Sequence, residues 1–134
     1  MFQVVESFFL WQTFDAFEEN WHIPVFNLTL NSQIQKKFPI HPEAHRKFCK
    51  KIVAKLEELG TEEILEEFYL GCVQPLEQDK NYFKSYFQRE KYLCSLMETR
   101  EFVSQGTTGL KTWPGANFLW EYLSNHPELT RFLK

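Results

Sequence analysis

The segment from His41 to Gly60 constrains the fold of this chain more than any other, because it carries both ends of a helix and a continuous apolar stripe. Pro42 stands at the first helical position, where its missing N–H costs nothing. Gly60 stands where a helix commonly ends in a left-handed backbone. Apolar residues recur between them at helical spacing, at Ala44, Phe48, Cys49, Ile52, Val53, Leu56 and Leu59. We therefore predict a long amphipathic helix over 41–59.

A second helix is predicted to follow at once. Thr61 can cap it, and Glu62 and Glu63 suit the positive end of its dipole. The helix is expected to end near Gly71 and to bury Ile64, Leu65 and Phe68. Two helices joined this tightly form an antiparallel hairpin.

The remaining segments are less regular. Residues 2–17 have apolar positions at crowded, near-helical spacing, and a short helix is expected over 31–37. The stretch 80–97 fits a helix moderately well, and it also fits two strands at 83–87 and 92–97. β-Propensity favours a hairpin, with a loop longer than two residues because no glycine marks a tight turn. A further short strand is predicted at 101–104.

The last helix is predicted to start at Trp113 or Pro114 and to end at Asn125-His126-Pro127. Its apolar residues share one face, at Ala116, Leu119, Trp120 and Leu123. Together with 43% hydrophobic residues, 17% aromatic residues and few Gly and Pro, these elements indicate a mainly α fold. We predict a helical, bundle-like domain with a small β-hairpin (α+β) over residues 1–100, the hairpin at 82–97. A linker loop and a first further helix follow over 101–134.

The composition restricts the partners and the compartment. A net charge of −3 argues against a general nucleic-acid binder, and no apolar run reaches the length of a membrane span. Three widely spaced cysteines are typical of reduced thiols. The apolar start of the chain lacks the basic region and cleavage site of a signal peptide. We therefore expect a soluble, cytoplasmic protein with no membrane partner and no specific nucleic-acid partner.

Two short patterns superficially resemble chemical sites. His41-Pro-Glu-Ala-His45 has two histidines one helical turn apart, but the glutamate of the zinc-protease motif is displaced, so a helix cap is predicted and no metal. The stretch 106–112 lacks the spacing of a phosphate loop. Neither these patterns nor the glutamates flanking the turn between the two helices suggest a catalytic centre.

Basic residues lie opposite the apolar stripe of the 41–59 helix, at Arg46, Lys47, Lys50, Lys51 and Lys55. A solvated outer face explains them, since such faces are normally charged. The alternative interpretation is a docking surface for an acidic protein or ribonucleoprotein partner. The residues alone leave both interpretations open.

The segment Gly106-Thr-Thr-Gly-Leu-Lys-Thr-Trp113, followed by an Ala-containing amphipathic helix, resembles the start of a seven-strand methyltransferase domain. Among those enzymes it is most similar to the elongation factor 2 lysine methyltransferases. Phe38-Pro39-Ile40-His41-Pro42, with Arg46-Lys47-Phe48 behind it, is also similar to that family's N-terminal region. The likeness covers roughly residues 37–128.

The resemblance implies that Trp113 helps bind S-adenosylmethionine through its flat indole. It also implies that a loop at the cofactor and substrate entrance consists of Gly106, Thr107, Thr108 and Gly109. The family has an aspartate and two alanines after the tryptophan, whereas Pro114, Gly115 and Ala116 stand here, so a carboxylate is lost. Alternatively, Trp113 only packs the last helix against a core.

The function implied is an N-terminal domain that braces a protein-lysine methyltransferase and helps recognise its substrate, elongation factor 2. The Rossmann-like methyltransferase domain, absent from this chain, is expected after residue 134 and would be the second partner. The full-length protein is then an S-adenosylmethionine-dependent enzyme. The segment alone is expected to bind no cofactor and to transfer no methyl group. The alternative is a stand-alone helical protein-interaction module with no enzymatic role.

Overall fold

The computed structural model describes residues 1–75, 80–98 and 112–131. It divides the chain into two units, Met1–Met97 and Glu98–Lys134, which are considered one at a time. Within the described ranges, no helix is long and apolar enough to span a membrane. The predicted division into an N-terminal domain and the start of a catalytic domain stays a prediction.

With helices numbered in chain order, α4 spans Pro42–Glu58 and is the longest element of the first unit. His41 caps it, because its Nδ1 accepts the backbone N–H of Glu43 at 3.2 Å. Gly60 has a φ of 72°, the left-handed conformation that suits a residue after a helix. The predicted start at Pro42, the end before Gly60 and the buried stripe from Ala44 to Leu56 are confirmed, whereas Leu59 lies beyond the helix and is 49% exposed.

Helix α5 spans Glu66–Cys72 and begins later than predicted. Thr61 caps no helix; Leu65 takes the N-cap position without a side-chain cap. The backbone N–H of Leu65 donates instead to Nε2 of His22 at 3.1 Å. A partner 43 residues away therefore sets where α5 begins. The antiparallel arrangement of α4 and α5 follows from their contacts, since Gly71 lies against Cys49 and Gln74 contacts Arg46.

The N-terminal segment is helical over a shorter range than predicted, with α1 at Phe2–Phe9. Trp11 has a φ of 58°, which turns the chain out of the helix. Its indole N–H donates to the carbonyl of Phe83 at 2.9 Å. This tertiary hydrogen bond compensates the unfavourable backbone, so the chain beyond α1 packs as an irregular segment.

Three short elements complete the helical part. A 3₁₀ helix at Glu19–Trp21 leads into α2, His22–Leu28. Helix α3 spans Gln33–Lys37, close to the predicted range. The Ser32 hydroxyl accepts the backbone N–H of Gln35 at 3.1 Å and caps α3.

The predicted β-hairpin is confirmed, with β1 at Tyr82–Gln88 and β2 at Lys91–Glu98. The predicted long loop is wrong: only Arg89 and Glu90 join the strands, with φ values of 48° and 64°. Two left-handed residues make the tight turn that matches the twist of a hairpin, and here they do so without glycine.

Strand β2 is largely exposed on both faces of the sheet, since successive side chains of a strand point to opposite faces. Its Ser95 hydroxyl lies 2.6 Å from that of Ser85 and 2.9 Å from that of Tyr92. Tyr92 and Ser95 are three residues apart, and strict alternation would put them on opposite faces. We infer an extra residue in β2, a β-bulge, between them.

The core of the first unit is aromatic. The rings of Phe8 and Phe48 lie 4.8 Å apart, and those of Phe9 and Phe87 lie 5.3 Å apart. Helices α1, α4 and α5 and strand β1 all contribute to it, with Val5, Phe8, Phe9, Phe48, Cys49, Ile52, Leu56, Phe68 and Phe87. The first unit thus has its own hydrophobic core.

The described part of the second unit is mainly helical. Helix α6 spans Pro114–Asn125 and is followed by a 3₁₀ helix at Pro127–Thr130. The predicted start and end of this helix are confirmed. None of the residues of α6 is buried. The strand predicted at 101–104 lies outside the described residues.

Candidate functional site

Trp113, the predicted cofactor-binding residue, occupies the N-cap position of α6. Its backbone is extended, with φ −72° and ψ 146°, and its carbonyl accepts the N–H of Ala116 at 2.9 Å. Pro114 follows at the first helical position, where no N–H is needed. This geometry presents a half-exposed indole, 47% accessible, at the start of the helix.

Glu98 forms a polar pair with Thr112, the residue that precedes Trp113. The Glu98 carboxylate accepts the backbone N–H of Thr112 at 3.2 Å and also the Thr112 hydroxyl. Glu98 is only 4% exposed, and buried polar groups need hydrogen-bond partners. The pair therefore fixes the backbone immediately before the indole.

Helix α6 exposes the face that its sequence predicts to be buried. Leu119 and Trp120 are 54% and 39% accessible, and Phe118 on the adjacent side is 71% accessible. The Tyr122 ring stacks on His126 at 4.3 Å between centroids. An apolar helix face of this kind normally packs against another element.

The predicted entrance loop, Gly106, Thr107, Thr108 and Gly109, lies outside the described residues. Its role therefore stays a prediction. The structure describes Glu98, which precedes this loop in the chain, and Thr112 and Trp113, which follow it.

The five basic residues of α4 differ in what they contact. Arg46 donates to the backbone carbonyl of Gln74. Lys51 donates to the Thr13 hydroxyl at 2.7 Å and lies 5.1 Å from the Phe14 ring centroid. Both side chains thus hold neighbouring segments of their own unit.

Lys47 and Lys55 pair with glutamates of the same helix. Lys47 lies 3.0 Å from Glu43, and Lys55 lies 3.6 Å from Glu58. Lys50 is exposed and has no carboxylate within ion-pair distance in the described ranges. The predicted docking role of the five residues stays a prediction, with Lys47 and Lys50 the most available.

The histidines near the start of α4 have structural partners. His41 caps the helix, and His45 lies against Gln74, close to the Phe8 ring at 5.9 Å. Burial lowers the pKa of His45 to about 4, so it is neutral at pH 7. In the part of the chain that the structure describes, no three His, Cys, Asp or Glu residues cluster as metal ligands.

Two buried polar residues, Glu98 and His22, were not predicted from the sequence to have structural partners. Glu98 ends a strand and could have been suspected from a lone carboxylate in an apolar segment. His22 sits at the start of α2 and gave no sequence signal, because its partner Leu65 is distant along the chain. Burial lowers the pKa of His22, and the nearby Glu19 opposes that shift, so His22 is neutral when it accepts the Leu65 N–H.

No protein-family model matches the chain. The chain is similar to the Bos taurus protein named protein-lysine N-methyltransferase EEF2KMT, with 29% identity over 107 residues. That match covers 78% of this chain and 31% of the bovine protein. The chain thus spans about a third of the length of the relative, and the similarity is to part of a protein-lysine methyltransferase.

Proposed function

We propose that this chain is the N-terminal substrate-recognition and bracing part of a cytoplasmic protein-lysine methyltransferase that acts on elongation factor 2. The similarity to a protein-lysine methyltransferase over most of the chain supports the reaction class. Because the match covers only part of that relative, the activity belongs to a longer protein that also contains a catalytic domain.

The observation that carries the proposal is the uncovered apolar face of α6. The apolar side chains of a helix are normally buried in a stand-alone module, whereas Phe118 and Leu119 are 71% and 54% accessible. Covering such side chains contributes about 1.5–3 kcal/mol each. A catalytic domain that packs on α6 would supply that cover, and the first unit would brace it.

S-adenosylmethionine is the cofactor of the proposed enzyme, and it supplies the methyl group that the lysine receives. Trp113 fits one edge of its pocket, because a half-exposed indole gives a flat apolar surface. The Glu98–Thr112 pair orients that edge. In this proposal the described residues supply only one side of the pocket, since binding sites usually enclose most of their ligand.

The direct test is methyl transfer by the protein encoded by the whole source transcript. Purified elongation factor 2 is incubated with that protein and isotope-labelled S-adenosylmethionine, and the modified lysine is located by mass spectrometry. We expect label on a single lysine of elongation factor 2, and a loss of incorporation when elongation factor 2 is omitted. Full-length protein that labels other proteins but never elongation factor 2 would contradict the substrate assignment.

The 134-residue chain alone is expected to show no heat of binding with S-adenosylmethionine, since one indole cannot enclose a charged ligand. In the full-length enzyme, Trp113→Ala is expected to raise KM for S-adenosylmethionine about tenfold, the loss of one aromatic contact of about 1.4 kcal/mol. Phe118→Ala, which removes a more exposed aromatic ring from the helix that Trp113 precedes, is the control variant. Low-micromolar binding by the short chain would contradict this prediction.

The second candidate, an interaction module without enzymatic role, is favoured by one observation. The first unit has an aromatic core of its own, so it does not need a catalytic domain in order to fold. The transcript distinguishes the two candidates. A strand ending in a Gly-x-Gly-type turn shortly after residue 134 favours the enzyme, and its absence from every transcript favours the module.

A further inference from the structure

Helix α5 has two apolar faces, and only one of them is covered. Gly71 faces α4, where it lies against Cys49, and the fully buried Phe68 packs against the His22 and Phe26 rings of α2. Tyr69, Leu70 and Val73 lie on the other face, since residues three and four apart share one side of a helix. They are 45%, 58% and 73% accessible. Surface apolar residues grouped in this way mark interaction sites more often than scattered ones do.

This exposed face ends beside the cations of α4. The C-terminal half of α5 lies along residues 46–50, because a Cβ at Gly71 would meet Cys49 and because Gln74 accepts a hydrogen bond from Arg46. Lys50 is close to Cys72: burial raises the pKa of the Cys72 thiol, and the charge of Lys50 opposes that shift. The exposed side of α5 therefore ends near Lys50, and Lys47 lies one turn away on the same side of α4.

The cations on this surface are available to a partner. Lys50 has no carboxylate within 4 Å among the described residues. Lys47 pairs with Glu43, but both side chains are well exposed, at 69% and 38%. Exposed pairs contribute about 0–1 kcal/mol, so a partner's carboxylate can replace Glu43 at little cost. At the other end of α5, Glu66 and Glu67 give the surface the opposite charge.

We propose that this α4–α5 surface, formed by Tyr69, Leu70, Val73, Lys47 and Lys50, binds a protein segment that carries apolar side chains next to acidic ones. Apolar anchors cover the exposed face of α5, and the acidic residues meet the cations of α4. The glutamates at the far end repel a segment that is acidic throughout. The inference deepens the proposed substrate docking and rests on it only for the identity of the partner protein.

Charge complementarity and the apolar area favour a protein segment over a nucleic acid. A phosphate backbone is recognised mainly through its charge, and the centre of this surface is apolar with carboxylates at one end. Aromatic stacking of bases needs several exposed rings, whereas Tyr69 is the one aromatic residue among the three exposed apolar residues of α5.

The test uses three fluorescent helical peptides and the 134-residue chain. The first peptide has apolar anchors at helical spacing and acidic residues in one half. The second has lysines in place of the acidic residues, and the third has serines in place of the anchors. Fluorescence anisotropy is expected to show at least about tenfold tighter binding of the first peptide, since anchors and charge contacts at a hot spot each contribute about 1–2 kcal/mol.

Variants locate the binding to this surface. Leu70→Asp and Lys50→Glu are each expected to weaken binding of the first peptide about fivefold or more. Leu28→Asp on α2 and Lys91→Glu on the hairpin change the same residue types at other exposed positions, and are expected to leave binding unchanged. Circular dichroism verifies that each variant is folded. Equal binding of all three peptides, or equal weakening by the matched variants, would overturn the inference.

Two further arms separate this inference from the proposed function. A single-stranded RNA oligonucleotide that binds as tightly as the first peptide overturns the protein-segment assignment. Purified elongation factor 2 is then tested with the same variants. If the first peptide binds and elongation factor 2 does not, the surface stands and the substrate assignment fails.

Discussion

Helices α4 and α6 carry the same kind of apolar pattern, but the apolar residues are buried in α4 and exposed in α6. In α4, Phe48, Ile52 and Leu56 are almost fully buried, whereas in α6 no residue is buried. Both stripes follow helical spacing, so periodicity predicts which face needs cover but not what covers it. The first unit supplies its own cover, and the described part of the second unit leaves that face exposed.

The largest expected effect tests this contrast with one substitution in each unit. Phe68→Ala is expected to lower the free energy of unfolding by about 3–5 kcal/mol, because it leaves a cavity in the core. Phe118→Ala is expected to change it by less than about 0.5 kcal/mol, because that ring is exposed. Urea unfolding followed by circular dichroism measures both. A cost at Phe118 as large as that at Phe68 would show that α6 is packed.

The next effect is the pH dependence of the first unit. Burial lowers the pKa of His45 to about 4, while in the unfolded chain it is near 6.5. The unfolded state therefore binds the proton first as the pH falls. The stability linked to His45 is present above about pH 6.5 and is lost towards pH 4, by up to about 3 kcal/mol. His22 contributes in the same direction, because its pKa is also lowered.

Comparing His45→Asn with the wild type at pH 6.5 and pH 4 isolates this contribution. Asparagine keeps a donor for Gln74 but does not titrate. We expect the unfolding free energy of the variant to fall less over that interval than that of the wild type. Parallel decreases in the two proteins would mean that His45 is not the group responsible.

A smaller expected change in stability tests how closely α5 packs on α4. In an exposed helix, Gly→Ala stabilises by about 1 kcal/mol. At Gly71, however, an added Cβ would lie 2.3 Å from Sγ of Cys49, so Gly71→Ala is expected to destabilise by about 1–3 kcal/mol. Cys49→Ala removes the clashing sulfur. The double variant should then be more stable than the sum of the two single effects predicts, and simple additivity would contradict the contact.

The sequence predicted the elements that local rules determine. The helix after Pro42, its end before Gly60 and the existence of the hairpin follow from residues close together in the chain. The start of α5 did not, because His22 satisfies the N–H of Leu65 across 43 residues. The end of α1 depends on Trp11, whose indole donates to a carbonyl 72 residues later.

The tight hairpin turn was missed for a different reason. Left-handed backbone costs a non-glycine residue about 1–2 kcal/mol, so Arg89 and Glu90 gave no signal for a two-residue turn. Strand pairing on both sides outweighs that cost. In the candidate site, the spacing of Trp113 and the last helix was predicted, whereas the partnership of Glu98 with Thr112 required the fold.

The exposure of β2 has a practical consequence for handling the isolated chain. Tyr92, Leu93, Leu96 and Met97 are each about 40–50% accessible, and in the described part β2 pairs only with β1. A strand that is apolar on both sides tends to recruit strands from other molecules. Concentrated samples of the short chain should therefore aggregate through this strand, and Leu96→Lys should keep them monodisperse in light scattering.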